Sequence, residues 1–181
     1  MALKDKPISI NKHQTVWENE WLKVKQTKGG FTYAERKGTN SVAFILYSKG
    51  SNEEQSCGVI QEWKDPIEKF ITTAFGGSID APEFKNDLEL LVKTEVQEES
   101  GYVVETEDIW YVGQVLVSTQ MNQYCHLFVV RVDKGSQGPK TTVDSTEKEA
   151  EVVWLAPNQL AKLEDWKAIT AYSKAVQLGI I

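Results

Sequence analysis

Cysteine is scarce in this chain: Cys57 and Cys125 are the only two in 181 residues, far apart and in no C-x-x-C pair. That excludes a disulfide framework and a cysteine-based zinc site, and makes a reducing, cytoplasmic setting the expectation. Long apolar runs are also missing. The best are short ones such as Val42 to Tyr47, well under the roughly 18 residues of a membrane helix, and the opening MALKDKPISI has no apolar core of signal-peptide length. Basic residues are in deficit, with 20 Lys and Arg against 26 Asp and Glu, for a formal charge of -6. A duplex-binding surface is therefore not expected, because affinity for nucleic acid rests mainly on Lys and Arg neutralising phosphates. An acidic chain that handles an anionic phosphate needs cations at its site. There is no internal repeat and no low-complexity tract.

What is present is the material of a globular domain, with 41% hydrophobic residues, enough to bury a core without staples. From Thr15 to Phe75 short β-type runs alternate with turn residues: TVWENEWLKVKQ, FTYAER, SVAFILYSK, SCGVIQEWK and FITTAF. Breaks at Gly29-Gly30, Gly38 to Asn40 and Gly50 to Asn52 read as hairpin connections. A helical period follows from Asn86 to Ser100, with Leu88, Leu91, Val92 and Val96 on one face, Gly101 as the stop and Asn86 or Asp87 as the cap. Glu89, three residues after Asn86, would complete a variant capping box. Two more strands, IWYVGQVLVS and CHLFVVRVD, precede a polar loop from Lys134 to Glu149. A last strand, EVVWLA, leads through Pro157 into a short helix at Asn158 to Leu163 and a closing helix at Trp166 to Leu178. This order predicts a mixed α/β sandwich rather than a doubly wound parallel sheet. The expected division is an N-terminal β subdomain over 1-40 and a main domain over 41-181.

The helix carries acid where acid is costly. At about 100° per residue, Glu95 and Glu99 share the meridian of Leu88 and Val92, the face turned to the core, and Glu98 lies at its edge. Like charges three and four residues apart repel, and burying an unpaired carboxylate is expensive. The last turn of a helix also carries the negative end of its dipole, which disfavours Glu by roughly 0.3–1 kcal/mol. A bound divalent cation would reverse all three effects. A merely solvated acidic patch would sit opposite Leu88 and Val92, and Glu95 and Glu99 do not.

These residues lie in GGSIDAPEFKNDLELLVKTEVQEESGY, which resembles the Nudix box, written G-x5-E-x7-R-E-U-x-E-E-x-G-U with U aliphatic or aromatic. Gly77, Glu83, Glu95, Val96, Glu98, Glu99, Gly101 and Tyr102 match by type. The segment departs at two places: ten residues rather than seven follow Glu83, and Thr94 stands where the family has an arginine that holds the glutamates. Beyond the box, VWENEWLKVKQ, SVAFILYSKG, CGVIQEWKDP and EAEVVWLAPNQL are similar to segments of the ADP-ribose and ADP-sugar pyrophosphatase branch.

The resemblance implies a Nudix-type α/β/α sandwich with a small N-terminal β-strand subdomain. It implies metal-dependent cleavage of a nucleoside diphosphate linked to another moiety, with Mg²⁺ or Mn²⁺ held by Glu95, Glu98, Glu99 and a carbonyl at Gly76. Glu98 is also a catalytic candidate, and a general base is expected from Glu147 or Glu149 in STEKEAEVV. Trp63 and Lys64, which follow Gln61 where the branch commonly has an arginine, are substrate-binding candidates together with Glu83. Trp17, Trp21 and Trp63 could stack on a base, although such residues more often serve a core or a dimer contact. A homodimer through the N-terminal strands and a small nucleotide-linked substrate are the implied partners, with neither nucleic acid nor membrane. Two other readings stand beside this one: a nucleoside triphosphate pyrophosphohydrolase, and a non-catalytic nucleotide-sugar binding module, to which Thr94 points.

Overall fold

The computed structural model describes residues 13–36, 40–52, 54–141 and 150–181. Two sheets form. The smaller is an antiparallel meander of β1 (Gln14–Glu18), β2 (Leu22–Gln26) and β3 (Thr32–Arg36). The larger is built from β4 (Ser41–Lys49), β5 (Gln55–Lys64), β6 (Lys69–Thr73), β7 (Phe75–Ser78), β8 (Ile109–Leu116), β9 (Tyr124–Arg131) and β10 (Glu151–Leu155). Its main path runs β10-β5-β4-β9-β8, with β6 added to β5 and β7 to β4. The β4–β9 pair is parallel and the other pairs are antiparallel, so the sheet is mixed.

The run SVAFILYSK is continuously apolar because both faces of β4 are covered. Val42, Phe44 and Leu46 face one layer with Phe128, Val130, Leu91, Val92 and Val96. Ala43, Ile45 and Tyr47 face the other with Leu127, Val129, Ala168, Ala171 and Ala175. The first layer is closed by α1 (Leu88–Glu95) and the second by α2 (Trp166–Gln177). In α2 the three alanines are fully buried, and their small side chains bring the helix close to the sheet.

The predicted elements differ from the observed ones in four instructive ways. Of the two caps expected for the helix, Asn86 and Asp87, it is Asp87 that serves, accepting the Leu90 N–H at 2.9 Å, so the helix begins at Leu88 rather than within the Asn86 turn. Its last five residues, Val96–Ser100, widen into a π-helical turn that ends on Gly101 at φ 77. FITTAF is two strands, since the chain changes partner at Ala74 from β5 to β4. The strands on either side of the hairpin expected near 38–40, β3 and β4, belong to different sheets and do not pair with each other.

The small sheet is tied to the β8–β9 connection by polar contacts. Ala34 N–H donates to the Gln120 carbonyl at 2.8 Å, and Asn122 donates to Glu35 at 2.7 Å. All five residues of β1 are exposed. Among the described residues no helix is long and apolar enough to cross a membrane, and both cysteines are buried free thiols.

Candidate active site

The site forms where the end of α1, the strand β7 and the start of α2 meet. The Ile79 N–H donates to the Asn40 carbonyl at 3.0 Å, so alternate residues of β7 bond toward β4 and the residues between them face outward. Two outward N–H groups, those of Gly76 and of Ala74 just before the strand, are taken by carboxylates. Gly76 donates to Glu99 Oε2 at 3.2 Å, and Ala74 donates to Asp165 Oδ2 at 3.0 Å. The carbonyl of a strand residue lies on the same edge as its N–H, which leaves the Gly76 oxygen on the side of Glu99.

At Gly76 an added Cβ would meet fixed backbone, and at Gly77 the missing Cβ leaves the space that the end of the Glu95 side chain fills. A Cβ on Gly76 would stand 2.6 Å from the Val42 carbonyl oxygen, and one on Gly77 would stand 2.0 Å from Glu95 Oε1. The Glu95 carboxylate thus lies directly on the backbone of Gly77. Glu99 is 7% exposed and reaches the same strand from one turn later. Burial of a carboxylate at the negative end of a helix is tolerated here because a backbone N–H meets it. Thr94 bonds its hydroxyl back to the Leu90 carbonyl at 2.9 Å and carries no positive charge to the glutamates.

The resulting cavity has a volume of about 560 Å³. Four carboxylates line it, from Glu62, Glu95, Glu99 and Asp165, together with three cationic side chains, Arg36, Lys64 and Lys167. Lys64 Nζ and Glu62 Oε1 are 2.6 Å apart, so that cation is held by its neighbour on the strand. Arg36 is the last residue of β3, which brings the small sheet to the rim.

The sequence candidates fall into three groups. Glu95, Glu99, Gly76 and Lys64 line the cavity together. Glu98, Trp63 and Glu83 are not part of its lining. Glu98 is half-buried on the π-helical turn, whose wider winding departs from the 100° step used to place it. Trp63 is 45% exposed and donates its indole N–H to Asp65 at 2.7 Å. It sits between Glu62 and Lys64 on β5, and strand alternation turns it to the other face. Glu83 lies in an exposed 3₁₀ turn, Glu83–Lys85. Trp17 and Trp21 are exposed on the small sheet, away from the cavity lining. Glu147 and Glu149 lie outside the described residues.

Sequence reasoning missed Asp165, Lys167 and Arg36. Asp165 precedes a helix and so reads as an ordinary cap, yet it makes no side-chain cap bond and spends its carboxylate on the Ala74 N–H and on Thr73, whose hydroxyl donates at 2.8 Å. Among the described residues no three His, Cys, Asp or Glu side chains converge as a ready-made metal cage. Mg²⁺ does not require one, since it is commonly bound through one or two carboxylates with substrate phosphates completing its shell. The hard oxygens of Glu95, Glu99 and the Gly76 carbonyl suit such an ion.

No family model matches the sequence, and no curated protein matches it. Solved structures do. The chain is similar to the crystal structure of an ADP compounds hydrolase, with a TM-score of 0.66 and 14% sequence identity over 92% of this chain and 91% of that one. The mixed sheet between helices, with its small N-terminal sheet, is the Nudix-type α/β fold.

Proposed function

We propose that this protein is a hydrolase that cleaves the diphosphate bond of a nucleoside diphosphate linked to another moiety, of the ADP-ribose or ADP-sugar type. The observation that carries the reading is the convergence of Glu95 and Glu99 on the Gly76-Gly77 backbone inside a cavity that also holds Arg36, Lys64 and Lys167. Mg²⁺ or Mn²⁺ is the proposed cofactor, with Glu95, Glu99 and the Gly76 carbonyl as ligands and Glu98 as the adjoining carboxylate. When bound, such an ion offsets diphosphate charge and acidifies a water molecule. The chain's own part is positioning. The Gly76 N–H fixes the Glu99 carboxylate, Gly77 admits Glu95, and Lys64 and Arg36 supply positive charge to the substrate. Glu147 or Glu149 is proposed as the general base, on the strength of the resemblance alone. Lys64 is proposed as a substrate contact, and Trp63 and Glu83 are carried as substrate contacts on the same resemblance.

Product release from ADP-ribose, other nucleotide-sugars, dinucleotides and nucleoside triphosphates, with and without Mg²⁺, tests the reading. Metal-dependent turnover that falls by about 10²-fold or more in Glu99→Gln is expected. Absence of turnover on every substrate would overturn it. A second reading, a nucleotide-sugar binding module, is favoured by one observation: the Thr94 hydroxyl is spent on the Leu90 carbonyl, and Thr94 brings no positive charge to the helix end. That reading predicts ligand-induced thermal stabilisation without product.

The small sheet is the proposed dimer element. Val16, Trp17, Trp21 and Phe31 are each about half exposed or more on it, an apolar content that suits a partner surface. Sedimentation at micromolar concentration would show a dimer, and a monomer would remove this part of the proposal.

A further inference from the structure

Of the three cations in the cavity wall, Lys167 is held differently from Lys64. Lys64 is in contact with Glu62 at 2.6 Å, whereas Lys167 Nζ stands 3.6 Å from Asp165 Oδ1, beyond hydrogen-bond distance. An ammonium has three donors, and Asp165 takes none of them at that distance. Asp165 itself is anchored. Its side chain is 8% exposed, and Oδ2 accepts from the Thr73 hydroxyl at 2.8 Å and the Ala74 N–H at 3.0 Å. The charge that neighbours Lys167 is thereby fixed to Thr73, the last residue of β6, and to Ala74, the residue just before β7, the strand that carries Gly76 and Gly77, the contacts of Glu99 and Glu95.

From this geometry we infer that Lys167 is a substrate-binding residue that takes a phosphoryl oxygen of the diphosphate, and that Asp165 is its positioning residue. The inference rests on the diphosphate-hydrolase reading of the cavity. The site then has two walls. Glu95 and Glu99 stand at the end of α1 and on the π-helical turn after it, and Lys167 stands at the start of α2, with the segment from Ala74 to Gly77 joining them through the Gly76 and Ala74 N–H groups. A cation on the second wall answers the need of an acidic chain to hold an anion. The close placement of Asp165 confines a long side chain that otherwise loses entropy on binding.

Inorganic pyrophosphate, titrated calorimetrically in the presence of Mg²⁺, is the probe. Lys167→Met should bind it about tenfold more weakly than the native chain, the loss expected for one charge-assisted contact at a partly exposed position. Lys167→Arg should stay close to native. Asp165→Asn keeps an acceptor for Ala74 and should weaken binding in the native background but not in the Lys167→Met background, a coupling that a purely structural role would not give. Thermal melting identifies any variant that has lost its fold, and Lys167→Arg remains decisive in that event: loss of binding in a folded Lys167→Arg overturns the assignment. Native affinity in Lys167→Met, with metal-dependent binding lost in Glu99→Gln, overturns the inference and leaves the reading of the cavity standing. No pyrophosphate binding by the native protein overturns both.

Discussion

The two sheets of this molecule are stabilised by different means. In the large sheet both faces of β4 and β9 are buried, Phe44 stacks on Phe75 with centroids 5.2 Å apart, and α1 and α2 seal the layers. In the small sheet β1 is exposed throughout, and the polar set Lys25, Glu35 and Asn122 does the fastening, with the Lys25–Glu35 pair at 2.7 Å. Burial of apolar area scales with the surface removed from water, while a partly exposed ion pair contributes little. The large sheet is thus the source of global stability, and the small one is a locally held attachment whose Arg36 nonetheless reaches the cavity.

Removing Phe44, which is fully buried between Phe75 and the α1 layer, should break the comparison on its strong side. Phe44→Ala is expected to cost about 3–5 kcal/mol, read as a large shift of the denaturant midpoint. A smaller effect is expected from the opposite error, too much volume. Ala171→Leu would push α2 off a sheet it touches with no accessible surface at that position, at about 1–3 kcal/mol. A loss under 0.5 kcal/mol would contradict the close packing described here.

The smallest change belongs to the small sheet. The Lys25 hydrogen bond holds the Glu35 carboxyl below its ordinary value of 4.5. A carboxylate with a depressed folded value adds stability above its unfolded value and loses it as pH falls through the folded one. Glu35→Gln should therefore cost under about 1 kcal/mol at neutral pH, and the difference from native should vanish at acid pH. Amide exchange in β1, β2 and β3 should quicken while the large sheet keeps its protection. Equal quickening in both sheets would mean that the two form one cooperative unit.

Much of the fold was legible because its signals are local. The strand runs, the apolar stripe Leu88, Leu91, Val92, Val96 and the stop at Gly101 are short-range patterns, and the chain follows them. The misreadings occurred where a local pattern met a distant partner. FITTAF looks like one strand, yet it serves two neighbours, and that change at Ala74 creates the outward N–H groups of the site.

By itself the sequence determined a mixed α/β chain and the acidic end of α1, because strand and helix periods are decided within a few residues. Tertiary structure alone decided that Asp165, 91 residues beyond Ala74, would take the N–H two residues before the one that holds Glu99. It also decided that Trp63 would turn away while Lys64 turned in. Sheet order and strand register set those outcomes, and both are fixed only when both faces of β4 find their layers.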